Sequence, residues 1–227
     1  MKLSFDQFII DQSPPDLNYG LLSVVPASRY SSLMPWHVDQ IYNILAKELE
    51  NECVTSIVDA CANIGVDTIL FRLLYPYADI VAIELNRNTF NVLKENMENI
   101  TQIIGRYSKS IQVKNMDCLD YIDKHQASVV YFDPPWPENY KKGIISLSLS
   151  GKDIGTIVNH LLKINPCIEK SAAFSSIVIV KLPFNFNFDA FEVNVNQDIK
   201  TLITYYTIYT NGKNQKIAYE LAFIRRI

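Results

Sequence analysis

The sequence has no Cys-x-x-Cys pair and no cysteine–histidine ligand spacing, so a structural zinc is not expected. Its four cysteines, Cys53, Cys61, Cys118 and Cys167, lie far apart. Such spacing is expected of buried, reduced thiols in an intracellular protein, cytoplasmic or nuclear. No apolar run reaches the roughly 20 residues of a membrane helix. Met1 to Ile10 carries Asp6 among apolar neighbours and lacks the shape of a signal peptide. A Gly-x-x-x-x-Gly-Lys-Ser/Thr loop is missing, which argues against a phosphate-cradling nucleotide site. There is no basic excess either. A formal net charge of -3 argues against broad wrapping of a nucleic-acid duplex but leaves a small nucleotide pocket open. The basic pairs Lys141-Lys142 and Arg225-Arg226 read first as solvated surface. His37, His125 and His160 are scattered and receive no role. No repeat, low-complexity tract or linker divides the 227 residues, so one domain with an ordinary core is expected.

What is present is alternation. Residues 1–35 look irregular, with Ser13-Pro14-Pro15-Asp16 and Ser31-Ser32, yet carry enough apolar side chains for an ordered arm that contributes to the site. Residues 36–227 form the domain proper. Val38, Ile41, Leu45 and Leu49 predict a helix over 36–49. Strands follow at 54–58, 80–83, 110–113, 128–132 and 176–182. Helices are expected at 66–74, 86–100, 118–124 and 151–168. Val66–Leu74 stops near Pro76, which cannot continue a helix. Phe90, Leu93, Met97 and Ile100 share one face of their helix. Such alternation implies a parallel α/β sheet with helices on both faces. The end of the chain differs. Residues 202–209 and 216–224 are strand-like and flank Asn211-Gly212, a hairpin turn signal.

In an open α/β sheet, ligands bind beyond the carboxyl ends of the strands. The first strand runs into Asp59-Ala60-Cys61-Ala62-Asn63-Ile64-Gly65. Gly65 gives this loop conformational freedom, and Asn63 is among the few other residues that tolerate a left-handed backbone. The second strand ends at Glu84, where a carboxylate can accept from ribose hydroxyls. The third is followed by Asp117-Cys118, where a carboxylate can accept from an adenine amino group. Taken singly, Asp59 and Asp117 read equally as helix N-caps, and Glu84 as exposed charge. Three acids at the ends of three successive strands point together to an adenosine-bearing cofactor. A nicotinamide dinucleotide fits less well, because Gly-x-Gly-x-x-Gly is incomplete.

The fourth strand ends in Asp133-Pro134-Pro135-Trp136-Pro137. Three prolines in five residues fix backbone angles and remove three donors, so the stretch is rigid and its carbonyls are free to accept. An exocyclic amine has two N–H donors. Asp133 and the Pro134 carbonyl can accept both, which turns the nitrogen lone pair toward an incoming methyl group. Trp136 offers a face on which a base can stack. No cysteine lies beside this run, so methylation of a ring carbon through a thiol nucleophile is not expected.

On these residues the chain resembles a class I S-adenosylmethionine-dependent methyltransferase, and more narrowly the trimethylguanosine synthase family of RNA cap guanine-N2 methyltransferases. The resemblance runs from Met34-Pro35 to the C-terminus. It covers Val58 to Ile69, Val81 to Asn86, Asp117, the Pro-Pro-Trp run with Tyr140, and Leu221 to Arg226. Leu149-Ser150-Gly151-Lys152-Asp153-Ile154 is similar to members from large DNA viruses. There are two departures. Pro137-Glu138-Asn139 stands where the family usually has two glycines, and the cofactor loop has one glycine, with Asn63 in the other's place.

The resemblance implies a Rossmann-like, mostly parallel seven-stranded sheet that ends in an antiparallel hairpin. It implies S-adenosylmethionine as cofactor and an RNA 7-methylguanosine cap as substrate, with no metal, no membrane and a monomeric protein. The expected catalytic residues are Asp133, Pro134 and Trp136. Asp59, Ala60, Asn63, Gly65, Glu84, Asp117, Cys118 and Asp133 are expected to hold the cofactor. In the family this tryptophan stacks on the 7-methylguanine, so Trp136 is expected to hold the substrate together with Tyr140 and Lys141, and Lys142 is a further candidate for the acceptor's phosphates. Asp-Pro-Pro-Trp is also the signature of N6-adenine methyltransferases. A bacterial ribosomal-RNA guanine-N2 methyltransferase and a catalytically silent cap-binding module remain further alternatives.

Overall fold

The computed structural model describes residues 23, 35–104, 109–138, 140–164, 177–210 and 215–227. The chain falls into two compact units, Met1–Cys118 and Leu119–Ile227.

The first unit opens with α1 (Pro35–Glu48), which buries Ile41 and Leu45 one turn apart, as the apolar spacing requires. Cys53 follows in the connection to β1 (Ser56–Asp59) and is exposed. That corrects the expectation of buried thiols, which holds for Cys118 but not for this connecting residue. Cys167 and the Asn211-Gly212 turn lie outside the described residues. Helix α2 (Val66–Leu74) starts at Gly65 and ends at Tyr75, before Pro76. Arg72, 1% exposed, donates to the carbonyls of Tyr75, Pro76 and Ala78 at 2.8–2.9 Å and so closes the helix end. Strand β2 (Asp79–Ile83) pairs in parallel with β1, from Ser56 opposite Asp79 to Asp59 opposite Ala82. Helix α3 (Arg87–Ile104) begins one residue later than expected because Asn86 caps it, accepting from the amides of Asn88 and Thr89. Strand β3 (Ile111–Lys114) pairs in parallel with β2. The first unit ends at Cys118, the first residue of a short helix, α4 (Cys118–Ile122).

The second unit holds β4 (Val129–Phe132), four fully buried residues that lead directly into Asp133. Next come β5 (Ser148–Leu149) and β6 (Lys152–Asp153), a small antiparallel pair turned through Ser150 and Gly151, both with positive φ. Helix α5 (Ile154–Ile164) therefore starts at Ile154, not at Gly151 as expected. The Asp153 carboxylate caps it by accepting from the amides of Gly155 and Thr156. Residues 165–168, the end expected for this helix, lie outside the described residues. Strand β7 (Ile177–Pro183) is buried throughout and pairs in parallel with β4. Helix α6 (Phe188–Val195), capped by Asn187, was not anticipated. Strand β8 (Thr201–Tyr209) pairs antiparallel with β9 (Ile217–Arg226), which pairs antiparallel with β7.

Seven strands make one mixed sheet in the order β3-β2-β1-β4-β7-β9-β8. Parallel strands β2, β4 and β7 read as apolar runs because both faces are covered, whereas edge strand β3 alternates Ile-Gln-Val-Lys and the terminal hairpin is antiparallel, as its turn signal implied. Among the described residues, no helix is long and apolar enough to cross a membrane, and no group of three or more potential ligands could hold a metal ion.

Candidate active site

In the first unit, Asp59 sits at the last position of β1 and is 1% exposed. Its Oδ2 accepts from the Thr68 hydroxyl at 2.5 Å, which ties the strand end to the first turn of α2. The loop between them is compact. Ala62 donates to the Ile83 carbonyl at 2.9 Å, and Gly65 donates to the Ala62 carbonyl at 2.8 Å. Asn63 and Gly65 both adopt the left-handed region, with φ of 51 and 94. That geometry aims the Asn63 amide at Glu84, whose Oε2 accepts it at 3.1 Å. At Gly65 an added Cβ would lie 2.4 Å from Met97 Cε, so the loop packs closely on α3. Ala60 is buried at 3% exposure, in the floor of the loop.

Glu84 follows β2. Its Oε1 accepts from the Asn86 amide at 2.7 Å, and its backbone amide donates to the Lys114 carbonyl at 3.0 Å. Burial raises its carboxyl above the ordinary carboxylate value, opposed by backbone hydrogen bonds from Asn86, Asn63 and Leu85. Beside it Leu85 is 66% exposed, an apolar face that sequence reasoning passed over. Asn115 secures this corner by donating to the carbonyls of Glu84 and Leu85 at 2.8 and 2.9 Å. Asp117 is half-buried before α4, and Cys118 is buried at 6% exposure. A two-oxygen acceptor beside an exposed leucine could accept from a ribose diol and pack against an adjoining ring.

In the second unit, Asp133 lies one residue beyond β4, followed by buried Pro134 and exposed Pro135. Its Oδ2 is 2.6 Å from Lys181 Nζ. Lys181 was missed, although a lone lysine within the apolar run Ile177–Pro183 was a visible signal. It is 5% exposed, and its ammonium also lies 4.8 Å from the ring centroid of Tyr219 on β9. Trp136 is half-buried and makes T-shaped contacts with two rings, Tyr140 at 5.1 Å and Tyr219 at 6.3 Å between centroids. Its Nε1 is buried without a partner among the described residues.

The loop after Trp136 is pinned. Tyr140 donates its amide to the Pro137 carbonyl, and Asn185 donates to the carbonyls of Tyr140 and Gly143. Lys141 is exposed and lies 5.5 Å from the Tyr140 ring, and Lys142 is exposed beside it. Thus Asp133, Trp136, Tyr140 and Lys141 are gathered with two residues not anticipated, Lys181 and Tyr219.

No family model matches the sequence, and no curated protein matches it. In structure the chain is similar to a precorrin-6Y C5,15-methyltransferase from Geobacter metallireducens, at TM-score 0.54 and 9% identity over 91% of this chain and 93% of that one. It is similar to an S-adenosylmethionine-dependent methyltransferase from Agrobacterium tumefaciens, at TM-score 0.53 and 11% identity over 86% of this chain and 62% of that one. A Pyrococcus horikoshii protein provisionally described as an RNA methyltransferase aligns at TM-score 0.51 and 13% identity over 86% of this chain and 85% of that one. The chain spans 66% of another Pyrococcus horikoshii protein, a transferase by provisional description, at TM-score 0.48. At these identities the likeness is one of fold. The chain has the Rossmann-like methyltransferase fold, with its mostly parallel seven-stranded sheet.

Proposed function

We propose that this protein is an S-adenosylmethionine-dependent methyltransferase that acts on an exocyclic amine of an RNA base, the guanine N2 of a 7-methylguanosine cap being the finer reading. One observation carries the proposal. A carboxylate, Asp133, stands at the end of β4 beside a proline-locked backbone and a half-buried tryptophan. The fold of the structural neighbours and the resemblance of the Pro-Pro-Trp segment support it.

In the first unit, Glu84 would hold the cofactor's ribose, with Leu85 against its ring. Asp117 and Cys118 would line the adenine side. Ala60, Asn63 and Gly65 would form the close-approach loop, and Asp59 would brace it through Thr68. When bound, S-adenosylmethionine would supply a sulfonium-activated methyl group: its S–CH3 bond would break as the N–CH3 bond forms, leaving a neutral thioether, and the amine's surplus proton would pass to water. In the second unit, Asp133 and the Pro134 carbonyl would accept both N–H bonds of the amine and aim its lone pair. Trp136 would stack the base, and Tyr140 with Lys141 would meet the flanking phosphate. Catalysis of this kind rests on orientation and placed charge rather than on a strong base. Residues 1–35 would act as an arm that serves the site. Ser23 exchanges hydrogen bonds with Asn96, which also donates to Ile64 in the cofactor loop.

The test is methyl transfer to a 7-methylguanosine dinucleotide, an uncapped guanine oligonucleotide and an adenine oligonucleotide, with product identification by mass. Product on the capped guanine alone supports the finer reading. Product on adenine alone replaces it with N6-adenine methylation. Cofactor binding without product on any of the three would mark a silent binding module.

A further inference from the structure

Lys181 does something that packing does not require. It lies within a strand whose seven residues are all buried, and the other six are apolar. Taking an ammonium out of water is costly even when it is paired, and a well-packed apolar residue commonly serves stability as well or better. What the pair supplies is geometry. Parallel pairing of β4 with β7 sets Phe132 opposite Val180, so the next residues, Asp133 and Lys181, emerge side by side. Antiparallel pairing of β7 with β9 sets Pro183 opposite Tyr219 and brings that ring under the ammonium. Tyr219 in turn makes a T-shaped contact with Trp136. One cation therefore touches the carboxylate and one of the two rings that hold the tryptophan.

We infer that Lys181 is a positioning residue for the acceptor amine: it fixes the rotamer of Asp133 and holds it as an ionised hydrogen-bond acceptor, while its contact with Tyr219 steadies the ring against Trp136. This rests on the proposed amine methylation. A charge-assisted bond from Nζ to Oδ2 is shorter and more directional than a neutral one, so it restricts where the rest of the carboxylate points. An amine whose N–H bonds must be met at defined positions gains from that restriction, because misplacement by about 1 Å can cost on the order of 100-fold in rate.

The experiment is a double-mutant cycle on the full chain, with Lys181→Met, Lys181→Arg, Asp133→Asn and the double variant Asp133→Asn/Lys181→Met. Each is measured for kcat and acceptor KM, and for cofactor affinity by calorimetry. Lys181→Met is expected to lower kcat by about 100-fold or more with cofactor affinity within about threefold of wild type, the scale of losing one aligned electrostatic partner. Lys181→Arg should recover at least about tenfold of that loss, because it restores a charge-assisted partner. On the Asp133→Asn background the Lys181→Met change should cost no more than about threefold, since residues acting through one another are not additive.

A Lys181→Met enzyme within about threefold of wild type would overturn the inference, as would an equal loss with and without Asp133. Loss of cofactor binding in Lys181→Met that the double variant also shows would make the lysine a fold residue and overturn it too. A wild-type protein inactive on every base would defeat the functional reading first, and this inference with it.

Discussion

Lys181 Nζ and Asp133 Oδ2 stand 2.6 Å apart, with side-chain exposures of 6% and 16%. The residue that carries the proposed chemistry is thus also half of a largely buried ion pair. Removing one member of such a pair takes the opposite charge away from the other, at a typical cost of about 3–5 kcal/mol. Asp133→Ala is therefore expected to lower both activity and thermal stability. Asp133→Asn keeps an acceptor oxygen beside the ammonium and should lose about 100-fold or more in kcat with a smaller fall in stability. Parallel kinetics and thermal unfolding of the two variants check this. Equal activity in wild type and Asp133→Asn would remove the carboxylate from the reaction.

Trp136 makes T-shaped contacts with Tyr140 and Tyr219, which fix the position of the ring on which a base is proposed to lie. Trp136→Ala should weaken acceptor binding by about 1–3 kcal/mol, the scale of one base–aromatic stack. Cofactor affinity should change little. Titrations with the capped dinucleotide and with S-adenosylmethionine separate the two. Matching losses for both ligands would mean the tryptophan holds the fold.

Glu84 should make cofactor affinity depend on pH. Burial raises its carboxyl above the ordinary value of 4.5. The folded state thus takes up the proton more readily than the unfolded chain does. The sign follows: this group's contribution to stability grows as pH falls through the raised value, and is lost above it. Cofactor affinity moves the opposite way, because protonation removes part of the acceptor. Calorimetry from neutral pH downward should show weakening that begins above the usual carboxylate range and disappears in Glu84→Gln. A pH-dependence that persists in Glu84→Gln would assign it to another group.

The cofactor loop depends on two left-handed residues, Asn63 and Gly65. Asn63→Gly should be tolerated, because glycine takes that conformation freely. Asn63→Val should cost about 1–2 kcal/mol and weaken the cofactor, since the amide aimed at Glu84 would be displaced. Gly65→Ala meets the same backbone penalty, of about 1–2 kcal/mol, and must also move Met97 and Leu93. Thermal denaturation with calorimetry reads both effects. Unchanged stability in Asn63→Val would contradict the loop's dependence on that backbone conformation.

The strand ends were legible because parallel strands buried on both faces read as apolar runs that stop at a polar residue. Asp59, Glu84 and Asp133 all mark such stops. Helix α2 was legible to the residue because Gly65 opens it and Pro76 closes it. The start of α5 was not, because Gly151 looked like the end of a loop while Asp153 supplies the cap. Helix α6 escaped notice because Phe184, Phe186 and Phe188 alternate with polar residues and imitate a strand. Lys181 and Tyr219 lie far from Asp133 in the chain and meet it only through the register of β4, β7 and β9. No local pattern carries that register, so this part of the site had to come from the structure.

The most direct measurement is the position of the methyl group on the product base. Wild type and Asp133→Asn are incubated with S-adenosylmethionine and a 7-methylguanosine dinucleotide, and the nucleosides are resolved by tandem mass spectrometry. Wild type is expected to place one or more methyl groups on the exocyclic nitrogen, with a severe loss in Asp133→Asn. A methyl group on a ring carbon, on a ribose oxygen, or transferred equally well without the carboxylate would contradict the proposed amine methylation.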